Sequence, residues 1–338
     1  MCGSKFEHWS QDVCRSSRGI DGWFHRLSTF LLSHGFLCNR ADPSLFIYAR
    51  NSCIMYLLVY VDNLILTRNN EFVITSFTTH LHQEFAIKDL SDLSYFLGLE
   101  VNYTDDGLFL IQSKYAMDIL TRSDLLDSKP VSTLLATHEV LTLTISPFND
   151  ITLYRSLVGA LHYLTITRLD LSYVVNKDSQ SLHSPTNVHF QAVKCILRYV
   201  KGTITFGLTF QRPHTNTILG YSDANWAHCI ETRRSTYGYS MFLGGNLVSS
   251  SAKKQPTVSR SSCESEYQAM AKSTTNIVWI THLLRELHTL PPDRPTLLCD
   301  NKRALFMTQN LVSNKCSKHT DLYTKFVLTK LQVAGIFK

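Results

Sequence analysis

Residues Tyr56 to Thr67 read YLLVYVDNLILT: two apolar runs around a Val-Asp-Asn centre. The preceding residues extend the run to CIMYLLVYVDNLILT, too long for one strand, so Asp62-Asn63 is expected to be a hairpin turn between two strands. A lone acid between two hydrophobic strands invites a metal-holding role. Asn63 stands where a second acid would strengthen that reading. Upstream, SLFIYA reads as another strand, and WFHRLSTFLLSHGF has a helical period with Phe24, Leu27, Phe30 and Leu31 on one face. Residues 1–20 show neither helical nor strand periodicity and are expected to be a ragged start. Downstream, FVITSFTTHLHQEF reads as a helix and YFLGLEVNYTDDGLFLIQ as a hairpin through Asp-Asp-Gly. SKYAMDILTRSDLL opens a further helix with Ser113 as its cap.

Residues 128–150 are polar and aperiodic, and predict a linker. A helical block follows. In SPTNVHFQAVKCILRYVKGT, Ser184 is the expected cap and Pro185 the first helical residue. Val193, Ile196, Leu197 and Val200 form its apolar stripe, and Gly202 closes its end. The last third alternates. ILGYSD is a strand ending in an acid. YGYSMFLGG and NLVSSSA are the next two. SSCESEYQAMAKSTTNIVWITHLLREL is a long helix with Ser261 and Glu264 spaced as a capping box. TLLCD is a short strand ending in a second acid, and KHTDLYTKFVLTKL reads as a final helix.

The chain has 338 residues, enough for two or three compact domains, and its 44% apolar and 18% charged content argues against disorder. The formal charge of +6 is compatible with a polyanionic partner without requiring one. Nine cysteines without a C-x-x-C pair, and no signal peptide, read as reduced thiols in an intracellular protein, against a disulfide scaffold or zinc site. Asp62 interrupts the longest apolar run, so a membrane span is not expected. No targeting signal separates cytoplasm from nucleus.

The acids of the last third fall in a pattern. Asp223 and Asp300 each end a strand, and adjacent parallel strands would bring both to one end of the sheet. Glu266 lies in the first turns of the long helix, and Asp321 near the start of the last. Such carboxylates cannot all stay ionised together without a cation. Hard divalent ions with oxygen ligands, Mg²⁺ above all, are the natural answer. The plain alternative is that each is a solvated cap. Arg233, Arg234, Lys253, Lys254, Arg260 and Ser261 lie around them and are candidates to hold phosphates; ordinary surface charge explains single members as well. Trp226 and Tyr221 could pack or stack on a partner, and core packing is the expectation.

YSDANWAHC, RRSTYGYSMFLGGNLVSSSAKKQPTVSRSSCESEYQAMA, LLCDNKRAL and KHTDLYTKFV resemble the ribonuclease H domain of Ty1/copia-type retrotransposon Pol polyproteins. YRSLVGALHYLTITRLDLSYVVN and HFQAVKCILRYVKGT resemble the segment before that domain. DPSLFIY, LLVYVDNLILT, FAIKDLSDLSYFLGLEV and KYAMDIL resemble the later part of the family's reverse transcriptase. The likeness runs from Trp23 to the C-terminus. It implies an α/β and α+β multidomain fold: an unmatched 1–20, a truncated reverse-transcriptase palm and thumb over 21–127, a linker over 128–150, a helical connection over 151–210, and over 215–338 a ribonuclease H-like mixed five-stranded sheet flanked by helices. By position, Asp223, Glu266 and Asp300 match the family's metal-holding acids, for two Mg²⁺ ions that Mn²⁺ can replace. Asp321 matches a fourth, with Thr320 replacing an apolar residue, Tyr323 an acid and Lys325 a histidine. His319 would order the site, shuttle protons or serve as a structural histidine.

Tyr60 and Asp62 match the polymerase turn, with Asn63 in place of its second acid. The acid-bearing palm strand and the fingers have no counterpart in residues 1–20. The resemblance therefore implies a ribonuclease acting on the RNA strand of RNA–DNA hybrids beside a vestigial polymerase. Lys177-Asp178 and Leu169 depart from the family's apolar and proline positions as drift would. A catalytically inert remnant, or a fragment that only binds nucleic acid, is the competing reading.

Overall fold

The computed structural model describes residues 4–9, 17–50, 53–61, 63–69, 71–85, 87–134, 146–229, 232–309 and 324–328. The chain divides into two compact units: residues 1–97 with 279–290, and 98–278 with 291–338. The first cut falls upstream of the boundary expected at 127.

In the first unit the strands are β1 (Ser4–Trp9), β2 (Leu37–Cys38), β3 (Leu45–Arg50), β4 (Cys53–Tyr60), β5 (Asn63–Arg68) and β6 (Ile87–Asp92). They form one sheet in the order β2-β3-β4-β5-β1-β6. Helices α1 (Ser17–Ser33) and α2 (Glu71–Glu84) cover it, and β7 (Tyr95–Phe96) follows. The expected hairpin forms: Tyr60 pairs with Asn63, and Val61 takes a left-handed φ of 50°. Asp62 lies outside the described residues. Strict alternation on β4 turns Met55, Leu57 and Val59 to the helices, where they meet Trp23, Leu27, Leu31, Phe77 and Leu81. Trp23 takes the core position expected for Phe24, which is 37% exposed. Two expectations for residues 1–20 are corrected. Ser4–Trp9 is a strand, antiparallel to β5 with Glu7 opposite Leu64 and His8 opposite Asn63, and α1 begins at Ser17. Pairing to a strongly apolar neighbour overrides a segment with no periodicity of its own.

The second unit opens with β8 (Leu99–Thr104) and β9 (Gly107–Ile111), the hairpin expected through Asp-Asp-Gly, which β10 (Leu208–Gln211) extends in the order β10-β9-β8. Helix α3 (Ser113–Arg122) follows, capped by Gln112 backbone rather than by Ser113. The Ser113 hydroxyl instead donates to Glu100 Oε1 at 2.7 Å. The helical block is α4 (Ile151–Leu164), a 3-10 turn at Leu169–Leu171, α5 (Ser172–Ser179) and α6 (Asn187–Gly202). The cap of α6 is Thr186, in a capping box with His189, and not Ser184. Its expected stripe of Val193, Ile196, Leu197 and Val200 is buried against Tyr154, Leu161 and Val175. Arg168, 3% exposed, bonds Asp170 Oδ2 at 2.7 Å and the Thr203 carbonyl at 2.9 Å, tying the 3-10 turn to the end of α6.

The last third builds β11 (Ile218–Asn225), β12 (Thr236–Leu243), β13 (Asn246–Lys254), α7 (Ser262–Glu286), β14 (Thr296–Cys299), α8 (Lys302–Gln309) and β15 (Lys325–Leu328). The sheet runs β13-β12-β11-β14-β15; β11, β14 and β15 are mutually parallel and the other pairings antiparallel. This is the expected mixed five-stranded sheet. The final helix expected over 318–331 is corrected where it is described: Lys325–Leu328 is a strand in register with Thr296–Cys299. Its apolar residues satisfy a sheet neighbour better than a helix face. Gly220 is closely covered: a Cβ there would meet Leu297 Cδ1 and Met241 Sδ of the flanking strands at 2.8 Å and Ile277 Cδ1 of α7 at 3.3 Å.

Candidate active site

The parallel pairing of β11 with β14 sets the site. Tyr221 stands opposite Leu298, so Asp223 and Asp300, each two residues further on, leave their strands at the same end and on the same face. Glu266 comes from the second turn of α7. The start of that helix is held by Ser261 Oγ, which accepts the Glu264 N–H at 3.2 Å, while Glu264 Oε2 accepts the Arg260 N–H at 2.7 Å. The expected capping box thus closes with its return bond displaced by one residue.

Glu266, Cys299 and Asp300 each present a ligand atom, and these atoms lie within 4.8 Å of one another. Glu266 is 5% exposed and its Oε1 accepts the Ala224 N–H at 3.2 Å. Burial pushes its carboxyl up to about 8, and the charges of Asp223 and Asp300 push the same way. Asp223 therefore acts on Glu266 electrostatically, although its carboxylate is not in the 4.8 Å group. Cys299 lies 3.9 Å from Glu266 Oε2, and burial with the surrounding acids drives its thiol to about 12. A cleft beside Asp223 is lined by Tyr173, Asn225, Thr236 and Tyr237. Tyr173 Oη meets His228 Nε2 at 2.5 Å, and Asn225 Nδ2 meets the other ring nitrogen at 3.2 Å, so α5 borders the strand end that carries Asp223.

A carboxyl that burial, and then the charges of Asp223 and Asp300, push toward the protonated form is a site short of positive charge. Oxygen donors on Glu266, Asp300 and Asp223 fit a hard divalent ion, and the high pKa of Cys299 keeps its thiol out of competition for one. Asp321, His319, Thr320 and Tyr323 lie outside the described residues, as does Asp62 at the hairpin. Lys325 is on β15.

The basic candidates share this end of the sheet. Asp223 stands opposite Gly238 on β12, and the start of β12 pairs with the end of β13, Tyr237 opposite Lys253 and Thr236 opposite Lys254. Arg233 and Arg234 sit in the turn before β12, with Arg233 at φ 53°. Gln255 binds the loop to α7, donating to the Ser265 carbonyl at 2.8 Å and accepting from Ser259 Oγ at 2.9 Å. Lys253, Arg260 and Ser261 are exposed. One expectation fails here: Trp226 is 47% exposed, its Nε1 donating to the Ser259 carbonyl at 3.0 Å. Tyr221 packs edge-on to Phe242 as expected. Sequence reasoning missed Cys299, although it directly precedes Asp300, and missed the Tyr173–His228–Asn225 chain, whose members come from separate segments.

A sequence profile described as reverse transcriptase (RNA-dependent DNA polymerase) matches residues 13–137. That match begins within the first twenty residues, which were read as unmatched. A retrovirus-related Pol polyprotein from transposon RE2 of Arabidopsis thaliana is 40% identical over 332 residues, covering 96% of this chain. A Pol polyprotein from transposon TNT 1-94 of Nicotiana tabacum is 31% identical over 92% of it. The chain spans 23% and 24% of the length of those two relatives. A crystal structure of LC11-RNase H1 in complex with RNA/DNA hybrid aligns with 33% of this chain and 85% of its own at 12% identity. Its TM-score of 0.25 carries no argument. No described helix is long and apolar enough to cross a membrane.

Proposed function

The chain belongs to the Pol polyproteins of Ty1/copia-type retrotransposons, and from that premise we propose that its five-stranded sheet and α7 form a Mg²⁺-dependent ribonuclease H-like nuclease. Its substrate is the RNA strand of an RNA–DNA hybrid. The observation that carries this reading is the meeting of Glu266 and Asp300 at the strand end shared with Asp223. These three would hold the ions; Mn²⁺ can replace Mg²⁺. Bound ions supply a more acidic water and a stabilised leaving oxygen at the phosphodiester. The chain's own groups do the rest. Glu266 gives up its proton on binding a cation, and the Ala224 N–H keeps its carboxylate oriented. Arg233, Arg234, Lys253, Lys254 and Arg260 hold the hybrid's phosphates, and the 2′-hydroxyl marks the strand to be cut. The exposed face of Trp226 lies against sugar or base. Asp321 remains the proposed fourth acid.

The polymerase turn is also proposed to be inactive; Asn63, a neutral amide where a second carboxylate would hold metal, would by itself weaken it without abolishing activity. Full-length chain with Mg²⁺ is expected to cleave a labelled RNA–DNA hybrid, and Asp223→Asn to abolish cleavage without unfolding the protein. An uncut hybrid at millimolar Mg²⁺ and Mn²⁺ leaves the inert-remnant reading standing in its place.

A further inference from the structure

The first unit carries a second feature, at the far end of its sheet from the polymerase turn. Phe46 and Leu57 pair across β3 and β4 and face the helices, whereas Leu37 and Ile47 pair across β2 and β3 and face the other way. On that other face, near the Arg50–Cys53 end of the hairpin, lies a cleft of about 590 Å³. That volume is in the range of small-molecule pockets. Its floor is apolar, formed by Leu37, Ile47 and Ala49. Its rim carries two guanidinium groups, Arg40 and Arg50, beside His288 and one acid, Glu286. Glu286 is already engaged, since its Oε2 accepts the Arg40 N–H at 2.7 Å.

Asn39 also lines the cleft and is 3% exposed. Its Oδ1 accepts the N–H groups of Ala41 and Asp42, both at 2.8 Å. Those two bonds fix which end of the amide is oxygen. Nδ2 is left buried with no acceptor. A buried unsatisfied donor costs about 1–3 kcal/mol, so it needs a reason. Donor in excess, two guanidinium groups and an apolar floor together describe one kind of ligand.

We propose that this cleft binds a nucleoside phosphate. The phosphate oxygens are taken by Arg40 and Arg50, whose planar forks suit them, with Asn39 Nδ2 as a neutral donor. The ring system lies on Leu37, Ile47 and Ala49. This site is independent of the nuclease reading: it uses no residue of the carboxylate cluster and needs no divalent ion.

The test is isothermal titration of the full chain with AMP, adenosine and inorganic phosphate in EDTA, which removes cations from the carboxylates. AMP is expected to bind more tightly than either half of itself. Two variants locate the site. Arg40→Gln with Arg50→Gln alters exposed side chains only, and is expected to weaken AMP by about tenfold or more through loss of charge-assisted bonds. Asn39→Asp keeps the acceptor for Ala41 and Asp42 but replaces the donor by a carboxylate oxygen. It is expected to weaken AMP similarly, with its melting temperature measured alongside so that loss of binding is told apart from loss of fold, the exposed arginine pair serving as the variant that leaves the fold intact. No AMP binding, or equal binding in both variants, overturns the proposal. Adenosine binding as tightly as AMP would reduce the cleft to an apolar patch, and phosphate alone as tightly as AMP would reduce it to an anion site; either result overturns it too.

Discussion

At the residue scale, burial sets the chemistry of particular groups. Asp178, on α5, is 6% exposed and its Oδ2 has no partner. Burial raises its carboxyl from 3.8 to about 7, with Lys177 opposing. Between those values the folded state holds a proton that the unfolded state has lost. Stability therefore falls as pH rises through that window and stays lower above it. Asp178→Asn is expected to flatten this dependence and to raise stability at pH 8 by on the order of 3 kcal/mol, seen as a higher melting temperature. A variant that melts below wild type at pH 8 would contradict this. The sequence marked Lys177-Asp178 as a departure from an apolar helix; that the acid rather than the lysine is buried depends on the rotation of α5, which no local pattern encodes. Thiols differ in the same way. Burial raises Cys299, but although burial also opposes ionisation of Cys229, hydrogen bonds from Thr232 and from Lys254 Nζ at 3.5 Å hold its thiol below the ordinary value. Iodoacetamide at pH 8 is expected to label Cys229 well before Cys299, as read by mass spectrometry; the reverse order would sink this account.

At the element scale, the strand ends were legible and some identities were not. ILGYSD and TLLCD each announce a strand ending in an acid, and the parallel register of β11 and β14 brings those acids to one end as expected. β1 and β15 were misread because neither SKFEHW nor KFVL carries its own periodicity; each is a strand through its neighbour. Caps erred by small shifts, Thr186 for Ser184 and Gln112 for Ser113, since several capping residues stood together in the chain. The approach of α7 to the sheet gives a prediction at this scale. Gly220→Val would drive methyl groups into Leu297 and Met241 of the flanking strands, 2.8 Å from where a Cβ would stand, and into Ile277 of α7 at 3.3 Å. The expected cost is about 1–3 kcal/mol in chemical denaturation, with reduced hybrid cleavage because Glu266 rides on α7. A fully stable Gly220→Val would show that the helix sits further away.

At the scale of the molecule, the described residues fall in two units with two apolar cores, one around Leu27 and Leu57 and the other around Tyr154 and Leu197. The connection helices α4 to α6 and the five-stranded sheet fall in one unit. That grouping escaped sequence reading because it rests on contacts such as Tyr173 with His228, 55 residues apart. The placement of these acids was largely readable: Asp223, Glu266 and Asp300 needed only their strand ends and the helix start. Its electrostatic state was not, since the high pKa of Glu266 arises from burial that only the packed fold creates. The central claim is that this cluster, and not the turn at Tyr60 to Asn63, performs the chain's chemistry. The measurement that tests it most directly is incubation of the full chain and Mg²⁺ with a hybrid labelled on both strands, beside Asp223→Asn and Glu266→Gln. The account predicts cleavage of the RNA strand alone by wild type and none by either variant. An intact RNA strand with folded wild type, or undiminished cleavage by Asp223→Asn, would contradict it.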